Sequence, residues 1–317
     1  MIIDCHVHLY PDAAVADPAR WAATRGEARW AAMVGPRADA APSLQGWTDE
    51  GRLLRDMDAA GVGRAVLLGW YWENAATCAE QNRFLAAVVG RHPDRLEGCA
   101  TIHGAAGPRG VREELARCRE EGLTGLGELC PPAQGFGYAD AGLAAALELA
   151  AEWSWPVNLH VTEPAGRVYP GRVETPLLEL LALAERHPAV RFVFAHWGGL
   201  LPFFELNRAV AKPLANVWYD TAASPLLYRP EVFPLVVKAI GAGRILFGSD
   251  YPLRLYPKAQ PEPDFSRFLT EVRSSGLGAE ELAAVLGGNW RRLRGADRPA
   301  GASAPARPIR ADSGAPA

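Results

Sequence analysis

The sequence predicts an α/β fold, a single (β/α)₈ TIM barrel, and two observations support this prediction. Short runs rich in apolar and β-branched residues alternate with longer segments in which Leu and Ala recur at helical spacing. Such alternation is typical of parallel strands joined by crossover helices. The chain of 317 residues is also long enough, because a barrel of this kind takes about 250 residues as one unit.

Eight strands can be counted along the chain. They are predicted at residues 2–5, 64–68, 96–102, 125–129, 156–160, 191–196, 217–221 and 244–248. Amphipathic helices are predicted between them, among others at residues 110–120, 142–153 and 175–186. His92 and His187 each precede a proline, which disfavours helical geometry in the residue before it. Both histidines are therefore predicted to end helices and not to bind a ligand.

Residues 1–294 are predicted to form one domain. Two segments fall outside the alternation of strands and helices, namely an insertion at residues 9–45 and a tail at residues 295–317. Residues 9–45 follow the first strand, so in a barrel they would cover the face that carries active sites. With Trp21 and Trp30 among many alanines, this insertion is interpreted as a lid, the alternative being a helical elaboration packed on the rim. The tail, residues 295–317, has too few apolar residues to order itself and is predicted to be disordered.

Composition and charge exclude several classes of protein. Hydrophobic residues make up 49% of the chain and charged residues 22%, close to the averages of soluble globular proteins. A formal net charge of −3, with both signs interspersed, provides no basic stripe for nucleic acid. The amino terminus lacks a signal-peptide pattern, and no segment is apolar for about 18 residues, so neither secretion nor membrane insertion is expected.

The cysteines point in the same direction. Five are scattered along the chain without any Cys-x-x-Cys pair, an arrangement unlike a disulfide framework or a cysteine zinc site. They are predicted to be reduced thiols. The cytoplasm is the expected location.

Candidate metal ligands coincide with the predicted strand ends. Four of the seven histidines and one aspartate lie there, namely His6, His8, His160, His196 and Asp250. The pair in His-x-His is a weak signal alone, since paired histidines on a strand can be ordinary polar residues near a rim. Five such residues on one barrel face instead favour a divalent metal site. Imidazole nitrogens suit zinc, and a carboxylate neutralises charge, so one or two zinc ions are predicted.

Five sequence segments resemble a known family. They are Asp-Cys-His-Val-His-Leu-Tyr-Pro at 4–11, His160, His-Trp-Gly-Gly at 196–199, Gly-Ser-Asp-Tyr-Pro at 248–252 and Gly-Gly-Asn-Trp-Arg-Arg-Leu at 287–293. In this order they resemble the amidohydrolase-related (amidohydrolase 2) branch of the amidohydrolase superfamily. The resemblance covers almost the whole chain except the tail. It implies a barrel of the metal-dependent hydrolase type.

The resemblance also implies roles for the candidate residues. The metal is expected on His6, His8, His160 and Asp250, with His196 as a second-metal ligand or as a hydrogen-bonding partner of the attacking water. The branch contains hydrolases and also decarboxylases similar to aminocarboxymuconate semialdehyde decarboxylase, and fold alone does not separate them.

Glu128 tips the sequence-based interpretation towards hydrolysis. It ends the fourth predicted strand, where two-metal members of the superfamily place a bridging carboxylate, and it resembles the glutamate of TatD-type hydrolases. Alternatively, Glu128 does not bind the metal and instead hydrogen-bonds to the metal ligands or forms a salt bridge in the barrel. The main hypothesis is therefore hydrolysis of a small ester, lactone or amide by a metal-activated water, with His196 positioning that water and Asp250 moving its proton. Decarboxylation of a small carboxylic acid is the alternative. A non-catalytic metal- or ligand-binding barrel is a third possibility.

Aromatic residues follow the second predicted strand. Trp70, Tyr71 and Trp72 are candidates for the wall of an apolar substrate pocket, or they pack beneath the insertion. His103 ends the third strand, where it either faces the substrate or is a hydrogen-bonded rim residue.

Polar residues on two later loops are candidates for binding a substrate carboxylate. They are Arg167 and Tyr169, beyond His160, and Arg254, beyond Asp250. The expected partner is a small molecule, without nucleic acid or membrane. Assembly into a homo-oligomer is left open.

Overall fold

A computed structural model describes residues 1–35 and 43–295 of the chain. In it, the polypeptide forms eight parallel strands in sequential order. They are β1 (Ile2–His8), β2 (Val62–Leu68), β3 (Leu96–Ala100), β4 (Gly125–Leu129), β5 (Pro156–Leu159), β6 (Arg191–Phe194), β7 (Val217–Asp220) and β8 (Ile245–Leu246). All eight predicted strands are present. The largest differences are at β1, which runs three residues further than predicted, and at β8, which is only two residues long.

The last and first strands come together and bring the sheet close to a closed barrel. The amide of Cys5 donates to the carbonyl of Phe247 at 2.9 Å, and the amide of His8 donates to the carbonyl of Tyr251 at 2.7 Å. A return bond runs from the amide of Asp250 to the carbonyl of His6 at 2.9 Å. The predicted (β/α)₈ barrel is thereby confirmed.

Helices connect the strands and surround the barrel. They are α1 (Asp12–Ala16), α2 (Pro18–Arg25), α3 (Ala28–Val34), α4 (Glu50–Ala60), α5 (Ala75–Arg91), α6 (Gly107–Glu120), α7 (Pro131–Gln134), α8 (Ala141–Trp153), α9 (Leu177–Arg186), α10 (Leu201–Phe204), α11 (Arg208–Ala211), α12 (Ser224–Leu227), α13 (Val232–Ile240), α14 (Ser266–Arg273), α15 (Ala279–Ala283) and α16 (Asn289–Arg294). The three helices predicted by residue range are α6, α8 and α9. His92 and His187 cap the carboxyl ends of α5 and α9, as predicted. None of these helices is long and apolar enough to cross a bilayer.

The buried hydrophobic residues among those described form three clusters, one of which joins the insertion to the loop after β2. The largest cluster lies between the strands and the outer helices, where side chains such as Leu67, Leu126 and Phe192 are fully buried. A smaller cluster joins strand residues such as Cys5 and Val193 to Trp290 and Leu293 of α16. All five cysteines are buried and free, in agreement with the thiol prediction.

The described part of the insertion after β1 folds into α1, α2 and α3. Trp21 and Trp30 from these helices are buried against Trp72, with ring centroids 5.0 Å and 5.4 Å from it. The segment is therefore anchored to the loop after β2 by aromatic packing. Its interpretation as a lid stays a prediction. The predicted disorder of the tail concerns residues 295–317, and all of these except residue 295 lie outside the described residues.

Candidate metal centre

Two of the candidate ligands lie at irregularities within strands. In β1, Asp4 pairs with Ala65 and Val7 with Leu67, so Cys5 and His6 together oppose one residue of β2. A bulge of this kind turns a side chain away from the direction that regular pleating gives it. His6 and His8 thus lie inside β1, where the sequence-based interpretation had them following the strand.

A second irregularity positions Glu128. In β4, Leu126 pairs with Val157 and Leu129 with Leu159, so Gly127 and Glu128 together oppose one residue of β5. Gly127 has φ +123°, and a Cβ there would lie 2.4 Å from the carbonyl oxygen of Asn158. Only glycine fits this conformation and this close approach.

The other candidate ligands follow the strands directly. His160 comes after β5, His196 after β6 and Asp250 shortly after β8. The backbone from His196 to Leu200 forms a left-handed turn, with φ between 57° and 66° at each of its five residues. L-residues adopt this region reluctantly and usually singly, so a run of five requires support from its surroundings.

A substitution at Gly198 would test how rigid this turn is. A Cβ at Gly198 would lie 2.7 Å from ring carbons of Tyr219, in a backbone with φ +57°. We expect Gly198→Ala to lower the free energy of unfolding by about 2–4 kcal/mol, combining left-handed strain with overpacking. Urea denaturation would measure the loss. Gly243→Ala is the control, since nothing lies within 4 Å of a Cβ there. Equal stability of the two variants would contradict a rigid turn.

Six donor groups converge at the carboxyl-terminal end of the barrel. The Nε2 atoms of His6 and His8 are 3.2 Å apart, and Nε2 of His196 lies 3.1 Å from Nδ1 of His160. Glu128 lies between these two pairs, with Oε1 2.8 Å from His160 Nδ1 and Oε2 3.6 Å from His8 Nε2. Ligands about 2.1 Å from a tetrahedral ion are about 3.4 Å apart, so these spacings suit metal coordination.

Asp250 completes the cluster on the side of β1. Its Oδ1 lies 3.5 Å from Nε2 of His8 and 3.7 Å from Nε2 of His6. The structure thus offers two overlapping groups of donors. One contains His6, His8 and Asp250, and the other contains His6, Glu128 and His196.

Each imidazole is also held by its outward nitrogen. Nδ1 of His6 faces Oδ2 of Asp220 at 2.9 Å, Nδ1 of His8 faces the Leu68 carbonyl at 3.4 Å, and Nδ1 of His196 faces the Ala222 carbonyl at 3.1 Å. Since carbonyl and carboxylate oxygens accept, these nitrogens carry the proton and the inward Nε2 atoms present lone pairs. His160 faces the Thr162 hydroxyl with its outward Nε2, at 3.1 Å.

The charges of the cluster favour a positive charge at its centre. Burial opposes a charge on His6, yet the carboxylates of Asp220 and Glu128 raise its pKa to about 10. Burial would raise the pKa of Glu128, but the imidazoles of His160 and His6 hold it well below its usual range. Burial and neighbouring His6 lower the pKa of His8. Inward lone pairs and carboxylates packed this closely repel one another unless protons or a metal ion lie between them. The donor set therefore fits a divalent metal.

Several buried polar residues around the cluster were not identified from the sequence. Asp220 ends β7 and is fully buried, and its neighbour in space Asn158 donates to it at 3.0 Å. Asp4 accepts from the amides of His6 and Ser249, both at 3.0 Å, and burial raises its pKa to about 7. An acidic residue at the end of the seventh predicted strand was the available signal for Asp220.

The aromatic candidates separate into two roles in the structure. The ring of Trp70 lies 5.3 Å from that of His8, and Tyr71 lies 5.2 Å from His160, so both border the cluster. Trp72 is turned away beneath the insertion, where its Nε1 donates to Gln81 at 2.6 Å. Trp72 thus matches the packing interpretation, whereas a substrate-binding role for Trp70 and Tyr71 stays a prediction.

The remaining candidates are less closely tied to the cluster. His103 is bonded through Nε2 to the Gln134 carbonyl at 2.8 Å and through Nδ1 to the Ala105 amide at 3.1 Å, so it matches the rim-histidine alternative. Tyr169 lines a small cavity next to His160. Arg167 is exposed, and Arg254 is half-buried, with its amide bonded to the carbonyl of Leu44.

Comparisons with known proteins agree with the barrel fold. A family model described as amidohydrolase matches residues 3–295. A 2-amino-3-carboxymuconate-6-semialdehyde decarboxylase of Dictyostelium discoideum is 24% identical over 279 residues, which are 76% of this chain and 74% of the relative.

Two solved structures share the fold. One is 5-carboxyvanillate decarboxylase of Novosphingobium aromaticivorans, complexed with manganese and 4-hydroxy-3-methoxy-5-nitrobenzoic acid. It has a TM-score of 0.70 at 17% identity, covering 92% of this chain and 95% of that one. The other is a dihydroxybenzoic acid decarboxylase of a Polaromonas species, with manganese and the inhibitor 2-nitroresorcinol. Its TM-score is 0.66 at 18% identity, covering 94% and 98%. Because the family model spans nearly all described residues, the chain is an enzyme of the amidohydrolase family, in the amidohydrolase 2 branch.

Proposed function

We propose that this enzyme is a metal-dependent decarboxylase of a small planar carboxylic acid. The observation that carries the proposal is the flat aromatic border of the metal centre. Trp70 and Tyr71 stack on each other with centroids 4.2 Å apart, and each also contacts a candidate ligand histidine. A planar unsaturated acid can place its ring against such a surface while its oxygens reach the metal centre.

A small cavity extends this border. It is lined by Tyr71, His160, Tyr169 and Met33, among others. Met33 belongs to α3 of the insertion, so the insertion forms part of the cavity wall. The similar proteins act, by name, on carboxyvanillate, dihydroxybenzoate and a carboxymuconate semialdehyde, and this supports the same substrate class here.

The proposed ligands are His6, His8, His160 and Asp250. When bound, a divalent ion supplies a positive charge that polarises the substrate's oxygen atoms. Two similar structures contain manganese, whereas imidazole-rich sites suit zinc, so both metals belong in the first assays. The prediction of zinc stays a prediction.

The reaction requires a proton at one defined place. The bond between the substrate carbon and its carboxylate breaks, carbon dioxide leaves, and the electron pair left on carbon takes a proton. We assign the delivery of that proton to Asp250, which is 6% exposed at the mouth of the cluster and would take up a proton from water before passing it to the carbon. His196 is assigned to donating a hydrogen bond from Nε2 to the substrate's oxygen, which requires the imidazolium form. Burial lowers the pKa of His196, but the carboxylates of Glu128 and Asp250 raise it above its usual value. Asp250 and His196 were also the catalytic residues predicted from the sequence, but for hydrolysis.

Deuterium incorporation tests the proposed reaction directly. The metal-loaded enzyme would be incubated in D₂O with hydroxybenzoates and unsaturated dicarboxylic acids, and carbon dioxide and products would be measured. Equal amounts of carbon dioxide and product, with deuterium at the vacated carbon, are expected. Release of acids from esters, lactones or amides without carbon dioxide would contradict decarboxylation.

Hydrolysis is a second candidate because of the position of Glu128. Its two oxygens face different histidine pairs, at 2.8 Å from His160 Nδ1 and 3.6 Å from His8 Nε2. Such a carboxylate could hold two ions, which would supply a shared hydroxide for hydrolysis. His196 would then serve as a ligand of the second ion.

Metal stoichiometry separates these two arrangements. If Glu128 bridges two ions, Glu128→Gln should lower the metal content from about two ions to about one per chain, because an amide is a poor bridge. Elemental analysis after dialysis measures this, and circular dichroism checks folding. One ion in both wild type and variant would exclude the bridged centre.

A further inference from the structure

Asp220 contacts more than one of the candidate metal ligands. It lies at the end of β7 and is fully buried. Its Oδ2 faces His6 Nδ1 at 2.9 Å and Asn158 Nδ2 at 3.0 Å, and its Oδ1 accepts from the amides of His196 and Ala222, both at 3.0 Å. Four donors therefore satisfy a carboxylate that has about four lone-pair positions.

Two of those four donors belong to candidate metal ligands on different strands. His6 is at the bulge of β1, and His196 begins the left-handed turn after β6. One carboxylate thus fixes the ring of the first residue and the backbone of the second. These contacts decide where the inward nitrogen of each imidazole points.

We propose that Asp220 is the positioning residue of the metal centre, which selects the Nδ1-protonated form of His6 and holds the strained backbone of His196 in place. This inference rests on the metal-dependent function proposed above, but it concerns the assembly of the site and not the reaction. Asp220 does not face the centre of the cluster itself. It acts through His6 and His196.

The contact with His6 has a chemical consequence. A carboxylate accepts only, so His6 must donate from Nδ1 and keep Nε2 free for the ion. An amide at position 220 offers either an oxygen or an NH₂ group, and Asn158 and His6 both present donors to the same atom. Asparagine therefore leaves the choice of the His6 tautomer to weaker forces. Groups that orient metal-bound histidines in this way typically change metal affinity 10- to 100-fold when they are altered.

Metal affinity and the His6 tautomer test the inference without any substrate. Zinc and manganese affinities of Asp220→Asn would be measured by competition with a chromogenic chelator, and unfolding would be followed in parallel. We expect a 10- to 100-fold weaker affinity. The matched control is Thr221→Val, which removes the bonds of a neighbouring buried hydroxyl to Gly248 at 2.9 Å and 3.1 Å. Its metal affinity is expected to stay within about threefold of wild type, even where its stability falls.

The second measurement uses the wild-type protein, so it does not depend on the folding of a variant. In the zinc-loaded, ¹⁵N-histidine-labelled protein, His6 is expected to carry its proton on Nδ1. A proton on Nε2, or an Asp220→Asn variant with wild-type affinity, overturns the inference. Because neither readout involves turnover, a protein that decarboxylates nothing can still show both expected results. In that case only the proposed reaction fails.

Discussion

Replacing His8 with alanine is expected to weaken metal binding more than about 100-fold and to remove turnover at ordinary metal concentrations. Substitution of residues that hydrogen-bond to a metal ligand already weakens metal binding about 10- to 100-fold. The loss of a ligand itself should weaken it more. His8 is well suited to this test because its outward nitrogen meets only the Leu68 carbonyl, at 3.4 Å. Its removal therefore leaves no buried carboxylate without a partner, as removal of His6 would do to Asp220.

His103→Ala is the matched control for this experiment. His103 is also buried and also follows a strand, but both of its ring nitrogens are bonded to backbone groups away from the cluster. The His103→Ala variant should lose roughly 1 kcal/mol of stability for each lost hydrogen bond and should keep its metal. Metal content would be followed by elemental analysis and chelator competition. If the two variants lose metal equally, the assignment of His8 as a ligand fails.

The sequence predicted the architecture and the members of the cluster because both depend on local patterns. Apolar runs separated by helical segments are visible without a structure, and barrel geometry brings all strand ends to one face. His6, His160 and Asp250 are about 250 residues apart at most, yet their positions at strand ends were enough to group them.

The geometry inside the cluster could not be predicted, because it depends on irregular backbone. The bulges at His6 and Glu128 depend on register between neighbouring strands, and an alternating pattern carries no information about register. The left-handed turn at His196 depends on contacts with Asp220 and Tyr219 from the next strand. Asp220 itself was missed because it supports the ligands and belongs to no recognisable motif.

The sequence alone favours hydrolysis, whereas the structure and the comparisons together favour decarboxylation. Glu128 alone favoured hydrolysis, since a strand-end glutamate resembles a bridging ligand. The aromatic border formed by Trp70 and Tyr71 favours a planar acid, and the similar proteins are decarboxylases by name. Without a second ion, Glu128 accepts a hydrogen bond at 2.8 Å from Nδ1 of His160 only if that nitrogen keeps its proton and does not bind the metal. The position of Glu128 is thus compatible with either reaction, and the choice of decarboxylation rests on the aromatic border and on the similar proteins.

Asp250→Asn is expected to lower kcat by about 10²- to 10⁴-fold, the usual contribution of a positioned acid or base. The amide keeps the shape of the side chain but cannot deliver a proton. kcat and kcat/KM should fall together, because the lost interaction belongs to the transition state and not to substrate binding. Asp56→Asn is the control, since Asp56 accepts from the Tyr251 hydroxyl at 2.7 Å and Arg52 at 3.4 Å and does not face the cluster.

The same substitution also weakens a proposed ligand, so its two effects must be separated by metal concentration. A defect caused by weak metal binding disappears when the variant is saturated with zinc or manganese, whereas a missing proton donor does not return. Assays across a metal titration, with bound metal measured at each point, therefore distinguish the two roles of Asp250. If the saturated variant regains wild-type kcat, Asp250 is a ligand only, and the proton must come from another group or from water. A large residual defect at full occupancy assigns the proton to Asp250, because the metal, the fold and the aromatic border are then all unchanged.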